Sequence, residues 1–240
     1  MIQHVVTRVG GSRSGSSSGA ASGCREPCPF DVGGFRSASA RPIFLSAAGT
    51  TIYREGEPCR TIFQVAHGIA RTVRQTSDGR RIVQSFCVPG DIFGMSCTSA
   101  YLATAEAISD IHLMRFESSQ FDSWLETDGA FVHHLCDWLV RNGERAEQLR
   151  LVARGTSVEK LSYFLLDLAE RMSARTRVEL QMSRYDIGDY LGLSSETVSR
   201  AFTCLRSRGF ISTDGRIVYL RNPSGLQQLS MACGSRVERG

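Results

Sequence analysis

Four side chains in the segment 194–208 have the types and spacing needed to read a base-pair edge. Wound at about 100° per residue from Glu196, Val198, Ala201, Phe202 and Leu205 fall between roughly 140° and 240°. They form one apolar face. Glu196, Ser199, Arg200 and Thr203 fall within about 60° of the opposite pole. An arginine binds guanine O6 and N7 bidentately, a carboxylate accepts from cytosine N4, and a hydroxyl adapts to either. A solvated helix face accounts for the polarity alone. It does not account for the elements around the helix.

Such a set must be carried by a helix that starts sharply and is held at a fixed angle. Ser194 is a good N-cap, because its hydroxyl can accept a first-turn N–H. Upstream, Ile187 and Leu191 make a short apolar stripe, Gly192 supplies a positive-φ turn and Leu193 plugs it. The predicted geometry is helix, tight turn, helix. Phe210-Ile211-Ser212, the turn Thr213-Asp214-Gly215-Arg216 and Ile217-Val218-Tyr219-Leu220 follow as a hairpin, a wing beside the second helix. Arg206, Arg208 and Arg216 are placed for phosphate contacts. Together these features predict a winged helix-turn-helix that binds double-stranded DNA.

The rest of the chain must position that unit. Its 240 residues are 42% hydrophobic and 22% charged, which excludes a disordered chain and suits one or two modest domains. No run of eighteen apolar residues predicts a membrane span. The net charge of +4 is uninformative until the chain is divided: acids exceed bases over 42–153, and bases exceed acids over 154–222. Every basic residue except Lys160 is arginine, a compositional bias that also suits phosphate.

Residues 1–41 read as a flexible tail or an upstream misassigned start. The stretch 10–23 is nearly all Gly, Ser and Ala, too polar for a targeting helix. Over 42–128, short apolar runs at 51–53, 62–65, 69–73, 82–86 and 108–116 alternate with Gly, Pro and Asp turns. That spacing predicts an antiparallel sandwich or roll. Over 129–153 the period becomes helical, with Phe131, Leu135, Trp138, Leu139, Leu149 and Val152 on a narrow stripe. Periodicity leaves two readings open: a helix packed on the β domain, or the seam of a two-helix dimer. A second amphipathic helix follows, with Val158, Leu161, Phe164, Leu165, Leu168 and Ala169 on one face. The winged unit is expected over 154–222 and a tail over 223–240.

Eight cysteines without a preceding apolar leader point to a reducing, cytoplasmic setting rather than a disulfide framework. Most read as small core fillers. His133 and His134 are adjacent on a helix and diverge by about 100°, so they do not chelate one metal. No CxxC pair, catalytic triad spacing or phosphate loop supports an enzyme.

A β-roll, a long connecting helix and a winged unit reading Asp186-Ile187-Gly188-Asp189-Tyr190-Leu191-Gly192-Leu193, then Glu196-Thr197-Val198-Ser199-Arg200, resemble the Crp/Fnr family of transcription regulators. The resemblance covers about residues 42–222. It implies an α+β fold: an N-terminal antiparallel β-roll of the cyclic-nucleotide-binding jelly-roll kind, a long dimerisation helix and a C-terminal winged helix-turn-helix. The E-x-x-S-R spacing matches the Fnr/FixK branch, whose members read a TTGAT-N4-ATCAA-type palindrome. On that resemblance Glu196, Ser199 and Arg200 read bases, and the 129–153 helix becomes the homodimer seam, which suits a palindromic site. The resemblance further implies an activator that meets RNA polymerase and serves oxygen-limited respiration, nitrogen fixation or denitrification.

Three sensory chemistries occur in that family. Cyclic-nucleotide binders place Glu after a roll glycine and a later Arg on the phosphate, whereas Phe93-Gly94-Met95-Ser96 offers methionine and 100–105 holds no arginine. Iron–sulfur sensors use clustered N-terminal cysteines plus one from the roll; here only Cys24 and Cys28 pair up, and His112 stands at the roll position. The expectation is the FixK-like branch, with no cofactor, and the iron–sulfur sensor is the alternative. Cys204, about 40° from Arg200 on the helix, is a candidate redox thiol, with an inert half-buried thiol as the competing reading.

Overall fold

The computed structural model describes residues 43–174 and 176–231. Eight short strands open it: β1 (Ile43–Ser46), β2 (Thr51–Tyr53), β3 (Thr61–His67), β4 (Ala70–Gln75), β5 (Arg81–Cys87), β6 (Ile92–Phe93), β7 (Thr104–Ala107) and β8 (Ile111–Glu117). They pair antiparallel into two four-stranded sheets, β1-β8-β3-β6 and β2-β7-β4-β5. Between the sheets lie Val65, Ala70, Cys87, Ala105, Ile111 and Leu113, joined by a ring cluster of Tyr53, Phe63, Phe93 and Tyr101. This is the expected roll: β7 and β8 alternate with one face inward, whereas Thr61 to Val65 of β3 are buried in succession.

Three roll strands escape the sequence reading: β1 and the two-residue β6, apolar but short, and β7, whose Thr-Ala-Glu-Ala has no large side chain. The strand expected over 108–116 begins only at Ile111. Residues 108–110 are instead a bend joining β7 to β8, in which Ile108 N–H donates to Ile69 O at 2.8 Å.

Helices follow: α1 (Ser118–Thr127), α2 (Gly129–Val152) and α3 (Ser157–Arg171). At 24 residues, α2 is about 36 Å long. It starts where Asp128 accepts the Phe131 N–H at 3.0 Å. A capping box starts α3, with Thr156 Oγ1 accepting from Glu159 N–H and Glu159 Oε2 accepting from Thr156 N–H. Then come β9 (Arg177–Glu179), α4 (Arg184–Leu191), α5 (Ser195–Ser207), β10 (Ile211–Asp214), β11 (Ile217–Leu220) and α6 (Pro223–Met231). The small sheet runs β10-β11-β9.

Helix α6 corrects the tail expected from residue 223. Asn222 Oδ1 accepts the Gly225 N–H at 2.8 Å, Pro223 needs no N–H partner at a helix start, and Leu226 is fully buried. Residues 232–240 lie outside the described residues.

The roll and the winged unit share one core. Ile69, Val73, Val83, Phe86 and Val88 of the roll pack with Leu161, Phe164, Leu165 and Leu168 of α3 and with Ile187 and Leu191 of α4. Phe86 meets Phe164 at 5.9 Å and Tyr190 at 5.2 Å between ring centroids. The boundary read from composition is therefore a boundary in sequence, and the apolar interior crosses it.

Candidate DNA-reading interface

Two short helices meeting at a tight turn form the candidate site. α4 begins with a second capping box: Ser183 Oγ accepts from Asp186 N–H at 3.1 Å, and Asp186 Oδ2 accepts from Ser183 N–H at 3.3 Å. It ends at Gly192, whose φ of 65° is the left-handed cap that the sequence predicted. Gly188 has a different task. A Cβ there would stand 2.5 Å from Leu193 O, so the absence of a side chain lets α4 and the turn meet.

Helix α5 follows its N-cap Ser194, whose Oγ accepts the Thr197 N–H at 3.1 Å. Val198, Ala201, Phe202 and Leu205 are buried, as the helical winding requires. On the far face Glu196 and Arg200 are 73% and 79% exposed, and Arg200 Nη2 donates to Glu196 Oε1 at 2.6 Å. Ser199 Oγ donates to Ser195 O at 2.9 Å, and Thr203 Oγ1 donates to Ser199 O at 3.1 Å. Arg206 Nη2 in turn donates to Thr203 Oγ1 at 3.1 Å. The structure thus brings Glu196, Ser199, Arg200, Thr203 and Arg206 onto one exposed surface. Arg208 instead stacks on Phe210, 4.9 Å from ring centroid to guanidinium carbon, and Arg216 lies exposed at the wing turn. Cys204 is half-buried, at the edge between the two faces.

Arg184 escaped the sequence reading. Its guanidinium carbon lies 3.3 Å from the centroid of Phe202, beneath the recognition helix. Burial, with Arg206 close by, brings its pKa down to about 10. A signal did exist: a cation at the first position of a helix opposes the helix dipole and needs another reason to be there. The chain's single lysine also serves this unit, with Lys160 Nζ donating to Leu191 O at 3.4 Å, at the end of α4.

The residues assigned to a dimer seam divide. Phe131 and Leu135 are buried in their own chain with Ile62, Phe116 and Phe121, and Trp138 packs against the same group. Val152 is buried, and Leu149 packs on the shared core. Helix α1 and strand β8 cover that stripe, and α1 was not anticipated. Leu139, 50% exposed, and the neighbouring Val140, 60% exposed, remain outward.

The residues of the roll do not fit the cyclic nucleotide that its architecture implies. Tyr53 and Tyr101 stack at 3.8 Å, Tyr53 and Phe63 at 5.7 Å, and Phe63 and Phe93 at 5.4 Å. Tyr101 Oη is already committed, donating to Thr61 O at 2.7 Å. The segment 94–103 between β6 and β7 contains no basic residue to meet a phosphate. No group of three or more His, Cys, Asp or Glu side chains among the described residues has metal-binding geometry. Cys24 and Cys28 lie outside the described residues. Burial pushes the Cys87 thiol up to about 12 and raises that of Cys59, whose Sγ donates to Gly94 O. His133 lies beside Asp137 at 3.4 Å.

Residues 46–128 match the cyclic nucleotide-binding domain family and residues 159–229 the Crp-like helix-turn-helix domain family. The nitrogen fixation regulation protein FixK of Azorhizobium caulinodans is 36% identical over 207 residues, covering 80% of this chain and 84% of that protein. FixK of Rhizobium meliloti is 37% identical over 183 residues, covering 75% of this chain and 83% of the relative. The structure of FixK2 from Bradyrhizobium japonicum superposes with a TM-score of 0.73 at 34% identity, covering 80% of this chain and 98% of that one. A roll of this architecture, a winged unit with an outward Glu-Arg pair, and relatives similar along most of both parts together place this chain in the Crp/Fnr family of transcription regulators.

Proposed function

We propose that this protein is a homodimeric, sequence-specific transcription activator that reads a TTGAT-N4-ATCAA-type palindrome without a bound cofactor. The exposed Glu196–Arg200 pair on a helix capped for sharp entry into the major groove carries this reading. Ser199 and Thr203 stand on the same surface, and Arg206, Arg208 and Arg216 supply cations for phosphate. Two copies fit the two halves of the palindrome, with the outward apolar side chains Leu139 and Val140 of α2 meeting across a two-fold axis. RNA polymerase is the expected partner at the promoter, and the cytoplasm the expected setting. The names of the relatives favour nitrogen-fixation genes as targets, and the family resemblance adds denitrification and other oxygen-limited metabolism. A packed aromatic cluster in the roll, with no basic residue over 94–103, favours a regulator that needs no nucleotide.

Binding of the purified protein, in air and without additives, to a labelled TTGAT-N4-ATCAA duplex tests the reading. Tight, competitor-resistant binding by a dimer is expected, and Leu139→Asp should shift the species to monomer in sedimentation. Binding that requires anaerobic preparation, together with visible iron absorption, would favour the iron–sulfur alternative. Failure to discriminate the palindrome from a scrambled duplex would overturn the assignment.

A further inference from the structure

We propose that Arg71 and Arg81, on the β-roll, are positioning residues for DNA recognition: they clamp α4 and so set the pose of the recognition helix. The inference rests on the DNA-reading role given to α5. Arg71 and Glu106 are cross-strand neighbours on β4 and β7, and Arg71 Nε donates to Glu106 Oε2 at 2.8 Å. That bond aims the guanidinium outward, where Arg71 Nη1 donates to Asp186 Oδ1 on α4 at 2.6 Å. Arg81, on β5, reaches the same place: Nη1 lies 3.3 Å from both Asp186 Oδ1 and Asp189 Oδ2, and Nη2 lies 3.4 Å from Glu106 Oε2. Two guanidinium groups of the roll thus hold two carboxylates of α4, with Glu106 orienting both.

The choice of carboxylates gives the clamp its reach. Asp186 is 7% exposed on its side chain and is also the N3 partner of the Ser183 cap, so the group that starts α4 is the group gripped. α4 is joined to α5 by the tight turn at Gly192, with Gly188 seated against Leu193. A tilt of α4 is therefore passed to Ser194 and the reading face. A second ionic contact fixes the other flank: Arg171 of α3, itself beside Asp167, bonds Asp91 and the Phe86 carbonyl of the roll. Between the two flanks lies the Phe86, Phe164 and Tyr190 cluster. Partly buried ion pairs add little net stability, but they define one geometry by leaving charges unpaired in any other. Here that geometry is the angle of the DNA-reading unit. Affinity then scales with the fraction of molecules in the clamped pose.

Operator titrations across a salt series test this, paired with hydrogen exchange of α4 and α5 in the DNA-free protein. Arg71→Gln and Arg81→Asp should each weaken operator binding by about tenfold, which corresponds to a clamped fraction near a tenth. The slope of log affinity against log salt should stay unchanged, and exchange over 184–203 should rise before any DNA is added. A lost phosphate contact would instead reduce that slope by about one. Should Arg71→Gln fail to fold, the charge swap Arg81→Asp with Asp189→Arg decides, because it leaves the Ser183 cap intact. Restored affinity and restored protection in the swapped protein support the clamp. Wild-type affinity in both single variants, a reduced slope, or a swap no better than its parents would overturn it. If the unaltered protein does not bind the palindrome, the DNA-reading assignment fails, and the exchange and swap results still judge the clamp alone.

Discussion

Replacing Gly188 with alanine sets two effects of opposite sign against each other. In an open helix interior, glycine to alanine stabilises by about 1 kcal/mol. At Gly188 the new Cβ would stand 2.5 Å from Leu193 O, where carbon–oxygen contacts settle near ~3.3 Å. The turn must retreat by about 0.8 Å, and overpacking of this kind costs about 1–3 kcal/mol. Because the colliding atom belongs to the backbone, no side chain can swing aside. The clash should win, for a net loss of up to about 2 kcal/mol. At about 2–4 °C per kcal/mol for a chain of this size, the melting temperature should fall by up to about 8 °C. Operator affinity should fall too, since Leu193 precedes the Ser194 cap of the recognition helix. Losing the alignment of one bidentate base contact costs about 1–3 kcal/mol, or roughly five- to 150-fold. Gly192→Ala is the control: its Cβ meets nothing within 4 Å, and only the left-handed backbone is penalised, by about 1 kcal/mol. Calorimetry and operator titration of both variants measure this. A Gly188→Ala protein that melts at or above the wild-type temperature would refute the close-approach argument.

Arg200→Ala should weaken operator binding by ~1–3 kcal/mol and relax base choice at one position of each half-site. The same change should barely move the melting temperature, because an exposed i,i+4 ion pair contributes only about 0.3–0.5 kcal/mol. Unchanged selection from a randomised operator library would contradict the base-reading role. For Cys204, peroxide should reduce operator affinity in the native protein and spare Cys204→Ser; equal loss in both removes this thiol as the cause. In alkylation at pH 8 the exposed Cys97 and Cys136 should react first, while Cys87, with its thiol pushed up to about 12, should stay unmodified until the fold is opened. Early labelling of Cys87, mapped by mass spectrometry, would mean that the roll interior is open.

The recognition helix was legible in the sequence because everything that defines it is local. Ser194, Gly192 and the Val198–Leu205 face lie within a few turns of one another and obey one period. Roll strands rich in branched residues were legible for the same reason, whereas β7, with only Thr, Ala and Glu, shows its strand character only by pairing with β2 and β4. The α2 stripe was legible as apolar but not its neighbours, since period cannot tell an intramolecular face from an intermolecular one: Phe131 and Leu135 are buried within their own chain, and Leu139 and Val140 point outward. Nor could the clamp be read: Arg71 and Asp186 are 115 positions apart, and each alone is an ordinary charged residue. Asn222-Pro223, by contrast, was a readable helix start that composition obscured.

The bond between Glu196 and Arg200 bears on how such a protein would search DNA. With no base edge in reach, each charge neutralises the other, for a gain of only tenths of a kcal/mol. A protein sliding on phosphate contacts can then carry its reading groups closed, neither snagging on wrong sequences nor leaving a bare charge against them. A matching half-site offers about 1–3 kcal/mol per contact, enough to open the pair. Reading becomes an exchange of partners, and the energy gap between the closed pair and the matched base sets how rarely the search pauses in error.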